Sequence, residues 1–198
     1  MIDNEPLHYT TEMGLNPDII EGEAKTKLGL KFEMKQNLKP SEVKVKVTSD
    51  ISSFKMKKII KDKDITADTL KLEVDNSGLS VTGDAKIDDI PVRLNWKERF
   101  APKEYRSKYS LALRFDDQLK QKLGLDLSIL NPPYISGYAD ISADIIIKDD
   151  HRTNIDISGK LEPMAIDFSF LGFNKPSGRP GEISATLNLK DNKLSSIP

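Results

Sequence analysis

The sequence contains no cysteine, which excludes disulfide staples, thiol nucleophiles and thiolate metal sites while leaving the cellular compartment open. Its only histidines, His8 and His151, stand in an unpatterned leader and in a turn, with no second ligand at metal spacing. No stretch comes near the roughly 18 apolar residues of a membrane-crossing helix, and the N-terminus Met-Ile-Asp-Asn-Glu-Pro carries no apolar signal segment. A surplus of one charge is missing too. The 30 basic and 31 acidic residues nearly cancel and alternate with apolar ones, so nucleic acid is not an expected partner. Neither a Gly-rich phosphate loop nor a Gly-x-Ser-x-Gly elbow occurs. Asp62-Lys63-Asp64 and Asp75-Asn76-Ser77-Gly78 carry oxygen ligands without the spacing of a calcium loop, and read as turns. The carboxylates alternate with lysines, so no paired acid and base is implied. No cofactor, metal or catalytic residue is expected, and the chain does not read as an enzyme.

What fills the sequence is alternation. From Gly78 to Asp88 the odd positions are apolar or small (Leu79, Val81, Gly83, Ala85, Ile87), and after Asp89 the even ones are (Ile90, Val92, Leu94, Trp96). A strand that turns back on itself at Asp88-Asp89 and keeps one apolar face produces this switch. The same period-two pattern runs through Leu28, Leu30, Phe32 and Met34, through Val43, Val45 and Val47, and through Leu70, Leu72 and Val74. In the second half it returns in Tyr105–Phe115, Ala139–Ile147, Ile155–Leu161, Met164–Phe170 and Ile183–Leu189. Gly78 is placed for positive φ in the turn that follows Asp75. Residues 50 to 66, around Phe54-Lys-Met-Lys-Lys-Ile-Ile-Lys61, break the alternation and fit a short helix or a connection across the sheet, of which the connection is expected. One short helix is expected over residues 117 to 123, with Asp116 as N-cap and Gly124 just past its end.

The reading is an all-β protein: about ten strands in a long antiparallel meander, with one short helix. Residues 1–25 form an irregular lead-in and residues 26–198 a single β segment. A long sheet with one apolar face must close into a barrel, fold into a sandwich, or keep that face for a ligand. Ile183–Leu189 reads as the last full strand; Leu194 could begin another, but the sequence ends before anything could pair with the free side, so edge-to-edge self-association, or stabilisation by the following segment of a longer parent protein, is expected.

At Val81-Thr-Gly-Asp-Ala-Lys-Ile-Asp-Asp-Ile-Pro-Val-Arg-Leu-Asn-Trp-Lys-Glu-Arg-Phe100 the chain resembles the large AsmA-like envelope proteins of Gram-negative bacteria, those of the YhdP type in particular. The likeness continues in Lys122-Leu-Gly-Leu-Asp126, Tyr134-Ile-Ser-Gly137 and Phe170-Leu-Gly-Phe-Asn-Lys-Pro-Ser-Gly178. That resemblance implies a curved, U-shaped β groove in the periplasm, anchored in the inner membrane in the full-length family, whose apolar interior carries phospholipid between inner and outer membranes. The chain is several times shorter than those proteins and lacks their anchor helix, so it is expected to be a segment of such a groove.

Parity alone nominates the wall of the groove. Leu72, Val81, Val92, Leu94, Trp96 and Leu111 are expected to line it in the first part, and Leu113, Ile141, Ile145, Ile157, Phe168 and Leu187 in the second. Phospholipid is the expected partner. The competing reading is a closed barrel or sandwich that serves as a structural or protein-binding module.

Overall fold

A computed structural model describes residues 19–60, 63–101, 104–122, 127–148, 150, 152–190 and 193–196. The expected connection at residues 50–66 is instead strand. β1 (Ile20–Lys31), β2 (Lys44–Ile60), β3 (Lys63–Asp75) and β4 (Gly78–Ile87) follow one another in an antiparallel meander, each paired with its neighbour in sequence. β2 and β3 are the longest strands, at 17 and 13 residues.

The reason the pattern misleads lies in a crease across this unit. From Lys46 to Met56 β2 keeps one register against β3, with Ile51 opposite Leu70 and Phe54 opposite Ala67. Against β1 the register of β2 slips by one residue between Glu21 and Glu23, and against β4 that of β3 slips between Thr66 and Lys71. Each inner strand therefore holds one extra residue, with Ser53 at φ 51 opposite Asp68. Face-pointing residues switch from odd (Val45, Val47, Ser49, Ile51) to even (Phe54, Met56) in β2, and from odd (Ile65, Ala67) to even (Leu70, Leu72, Val74) in β3. A bulge keeps the face while it shifts the parity. On the outer strand, Gly83 at φ 156 lies so close that a Cβ would come within 2.8 Å of both Leu70 Cδ2 and the Thr69 carbonyl.

Two turns tie the unit together. Asp75 accepts bonds from the Ser77 N–H (2.7 Å), the Ser77 hydroxyl (2.6 Å) and the Gly78 N–H (3.2 Å), which holds its carboxyl below the usual carboxylate range. Gly78 is not among the positive-φ glycines, because these side-chain bonds close the turn without it. Asn76 reaches across to accept from the Val45 N–H at 2.7 Å and donate to the Val43 carbonyl at 2.9 Å. At the other end, Asp88 and Asp89 occupy the left-handed region at φ 44 and 65, the geometry of a two-residue reversal, as their place between two alternating runs suggests. The Asp88 N–H donates to the Asp64 carbonyl, and its carboxylate accepts from the Asp64 N–H, both at 3.0 Å.

Where the sequence reads as a single segment over 26–198, the chain forms two compact units, Met1–Asp89 and Ile90–Pro198, which join at this reversal. The first strand also begins earlier than expected, at Ile20.

The second unit contains β5 (Ile90–Arg99), β6 (Ser107–Phe115), α1 (Asp117–Lys122), β7 (Ile135–Ser136), β8 (Ala139–Ile147), β9 (Arg152–Lys160), β10 (Ala165–Phe168), β11 (Phe173–Lys175), β12 (Glu182–Lys190) and β13 (Lys193–Ser196). Its main sheet runs in the order β5-β6-β8-β9-β12-β13, and β11-β10-β7 form a separate small sheet. Among the described residues the strand order in neither unit returns on itself, so neither unit closes into a barrel. β13 corrects the expectation that nothing follows to pair with β12. It covers Asn188, Leu189 and Lys190 and leaves the rest of that edge unpaired among the described residues.

The helix forms where its cap predicts: the Leu119 N–H donates to the Asp116 carboxylate at 2.9 Å. Gly124 lies outside the described residues, as do His8 and His151. Leu119 is buried, and so is Lys120, whose Nζ donates to the Leu130 carbonyl at 2.7 Å and meets Asp117 at 2.5 Å. A second buried lysine organises the small sheet. Lys175 Nζ donates to the carbonyls of Leu161 (2.6 Å), Met164 (2.7 Å) and Pro176 (3.4 Å), and so replaces its lost hydration with backbone dipoles.

Candidate functional site

In the second unit the register gathers the apolar side chains into continuous rows. Leu94, Leu111, Ala143, Ile157 and Ala185 stand side by side across β5, β6, β8, β9 and β12. Trp96, Tyr109, Ile145, Ile155 and Leu187 form the next row, and Leu113, Ile141, Gly159 and Ile183 lie on the other side. Because pairing is antiparallel and unbroken from β6 through β12, residues two apart share a face, and all three rows point the same way.

These side chains are not enclosed. Leu94, Trp96, Leu111, Leu113, Ile141, Ile145, Ile157 and Leu187 are all half-buried, and Ile183 is 52% exposed. In a sandwich, facing side chains from a second sheet would bring the middle of such rows close to full burial. Full burial is instead restricted to a few positions, among them Val92 at 5% and Ala139 at 1%.

Of the twelve residues nominated by parity, nine thus fall on this face: Val92, Leu94 and Trp96 in β5, Leu111 and Leu113 in β6, Ile141 and Ile145 in β8, Ile157 in β9 and Leu187 in β12. Leu72 and Val81 pair with each other in the first unit, in a row with Thr26 and Ser49, whose hydroxyls bond at 2.9 Å. Val81 is buried there and Leu72 half-buried. Phe168 is elsewhere. It belongs to β10 in the small sheet, where its ring meets Tyr134 at 6.4 Å and Phe170 at 5.9 Å. The strand stops at Phe168 and the chain enters a 3₁₀ turn, so the parity that links Phe168 to Phe170 does not continue as sheet. Tyr109, Ala143, Ile155, Gly159, Ile183 and Ala185 complete the rows; their signal was the same alternation.

At β5 and β6 one end of the face turns polar. The Trp96 and Tyr109 rings stack at 5.8 Å with 12° between their planes. Next along the strands come Glu98 and Ser107, paired and both buried. The Trp96 Nε1–H donates to Glu98 Oε2 at 3.2 Å, and Arg106 Nε lies 3.5 Å from Glu98 Oε1. Burial pushes the Tyr109 hydroxyl's pKa up, and the Glu98 charge adds to it, against a hydrogen bond with Ser107.

Among the described residues no three His, Asp or Glu side chains gather as a metal would require, and no helix is long and apolar enough to cross a membrane. No family model matches the sequence, and neither a curated protein nor a solved structure does.

Proposed function

We propose that the apolar face of the second unit accommodates the acyl chains of phospholipid, and that the chain works as a segment of a periplasmic lipid-carrying β groove between inner and outer membranes. The observation that supports this reading is the set of half-buried apolar rows across five strands. An acyl chain laid on them would withdraw its own methylenes from water, at about 0.8 kcal/mol each, together with the exposed parts of the side chains. The resemblance to AsmA-like envelope proteins points to the same ligand class.

The chain supplies its own reporter. Trp96 is the only tryptophan and stands in the row of this face nearest its polar end. Phospholipid with brominated acyl chains should quench its fluorescence, and native mass spectrometry of gently purified protein should show bound phospholipid. Leu111→Asp, adjacent to Trp96 on the face, should abolish the quenching while leaving the far-ultraviolet circular dichroism of a β protein. Absence of both quenching and copurified lipid in the parent protein would overturn the reading in favour of a structural or protein-binding module.

A further inference from the structure

In β5 and β6 the apolar rows give way to a built polar group, and its chemistry suggests which end of an amphiphile lies there. Glu98 is 7% exposed, yet its carboxylate is held from two directions, by the Trp96 indole N–H and by Arg106. The Arg106 side chain is 45% exposed, and its Nε lies against the Glu98 carboxylate. Arg99 is the cross-strand neighbour of Arg106, donating its N–H to the Arg106 carbonyl at 2.8 Å, and its guanidinium sits 5.0 Å from the Tyr105 ring centroid. The Arg106 guanidinium thus stands beside a buried carboxylate where β5 and β6 leave the apolar rows.

We propose that this end of the face binds the phosphate group of an amphiphile whose acyl chain lies along the rows, with Arg106 as the phosphate-binding side chain and Glu98 as the positioning residue that aims it. This rests on the acyl-binding reading above. A guanidinium matches phosphate oxygens with paired donors, and one already held through Nε loses less side-chain freedom on binding. The stacked Trp96 and Tyr109 rings then lie where the chain leaves the headgroup, a position that suits rings with an apolar body and a polar edge.

The test compares two ligands with the same chain, dodecyl phosphate and dodecyl maltoside, titrated below their micellar concentrations against Trp96 emission. The parent protein should prefer the phosphate by about tenfold. Arg106→Gln should remove that preference and leave maltoside affinity unchanged, which also reports that the variant is folded; Arg106→Lys, which keeps charge but loses the paired donors, should fall between. Glu98→Gln should weaken the phosphate preference alone. Inorganic phosphate by itself should leave the emission unchanged. An equal response to inorganic phosphate would mean a free-anion site and overturn the amphiphile assignment. If maltoside binds and Arg106→Gln changes both affinities alike, the phosphate site falls while the acyl-binding face stands. If neither detergent binds, both fall.

Discussion

Aspartate placed at Val92 and at Ile183 should have very different consequences, although both residues belong to the same apolar face. Val92 is 5% exposed. Its replacement forfeits about 1.5–3 kcal/mol of apolar burial, and an unpaired carboxylate without a hydrogen-bonding donor adds several more. The sum, on the order of 5 kcal/mol or above, equals the entire stability of many domains. Ile183 is 52% exposed in β12. Its carboxylate would remain hydrated, and about half of the burial term, roughly 1 kcal/mol, would be lost. In urea unfolding with a slope of about 1–3 kcal/mol per molar, Ile183→Asp should therefore lower the midpoint by less than about 1 M, while Val92→Asp should leave little folded protein at all. Ile183→Asp should also reduce quenching by brominated phospholipid, since it places a charge in the acyl-facing rows. Equal and complete unfolding of both variants would show that Ile183 is enclosed and would refute the open face; a stable Val92→Asp would refute the burial on which the contrast rests.

Gly83→Ala should destabilise by about 1–3 kcal/mol in the same assay, because its φ of 156 and the Leu70 and Thr69 atoms 2.8 Å from where a Cβ would stand leave a side chain no room. Asp75 has a lowered pKa when folded, so its contribution is present above the ordinary value of 3.8 and disappears as pH falls through the folded value. A carboxyl titration followed by NMR should show the amides of Ser77 and Gly78 losing protection in that acid range, and Asp75→Asn should abolish the pH dependence of this turn. The stretch of β12 that β13 leaves uncovered should exchange its amides faster than β9 and support concentration-dependent association in sedimentation, which Thr186→Pro should suppress. A monomer at all concentrations, with residues 183–187 as protected as β9, would mean that this edge is covered.

Strand content, most strand positions, the Asp88-Asp89 reversal and the Asp116 cap could be read because each depends on near neighbours in the chain. An antiparallel sheet with one apolar face writes itself as period two, and nine of the twelve nominated residues share a face for that reason alone. The period failed where geometry depends on a partner strand. The extra residues at Ser53 and Asp68 shift parity within β2 and β3 while preserving their pairing, so a 17-residue strand looked like a connection. The small sheet was missed because its strands have only two to four residues, too few to show a period. Lys175 gave no signal either. A lysine between Asn174 and Pro176 reads as a solvated loop residue, and its three carbonyl partners come from separate parts of the 161–176 segment. The polar end of the face was equally hidden, since Glu98 follows the inward parity of Leu94 and Trp96 but looks, in sequence, like one charge among many.

The crease in the first unit also constrains how its length can change. Removing Ser53 alone would straighten β2 against β1 but push every later residue of β2 out of step with β3. Removing Asp68 alone would do the same from the other side. Deleting both restores the pairing of β2 with β3 and erases both slips at once, turning four strands with a kink into four without one. The two positions, fifteen residues apart in the chain, thus behave as a single unit of insertion or deletion, tolerated together and disruptive apart.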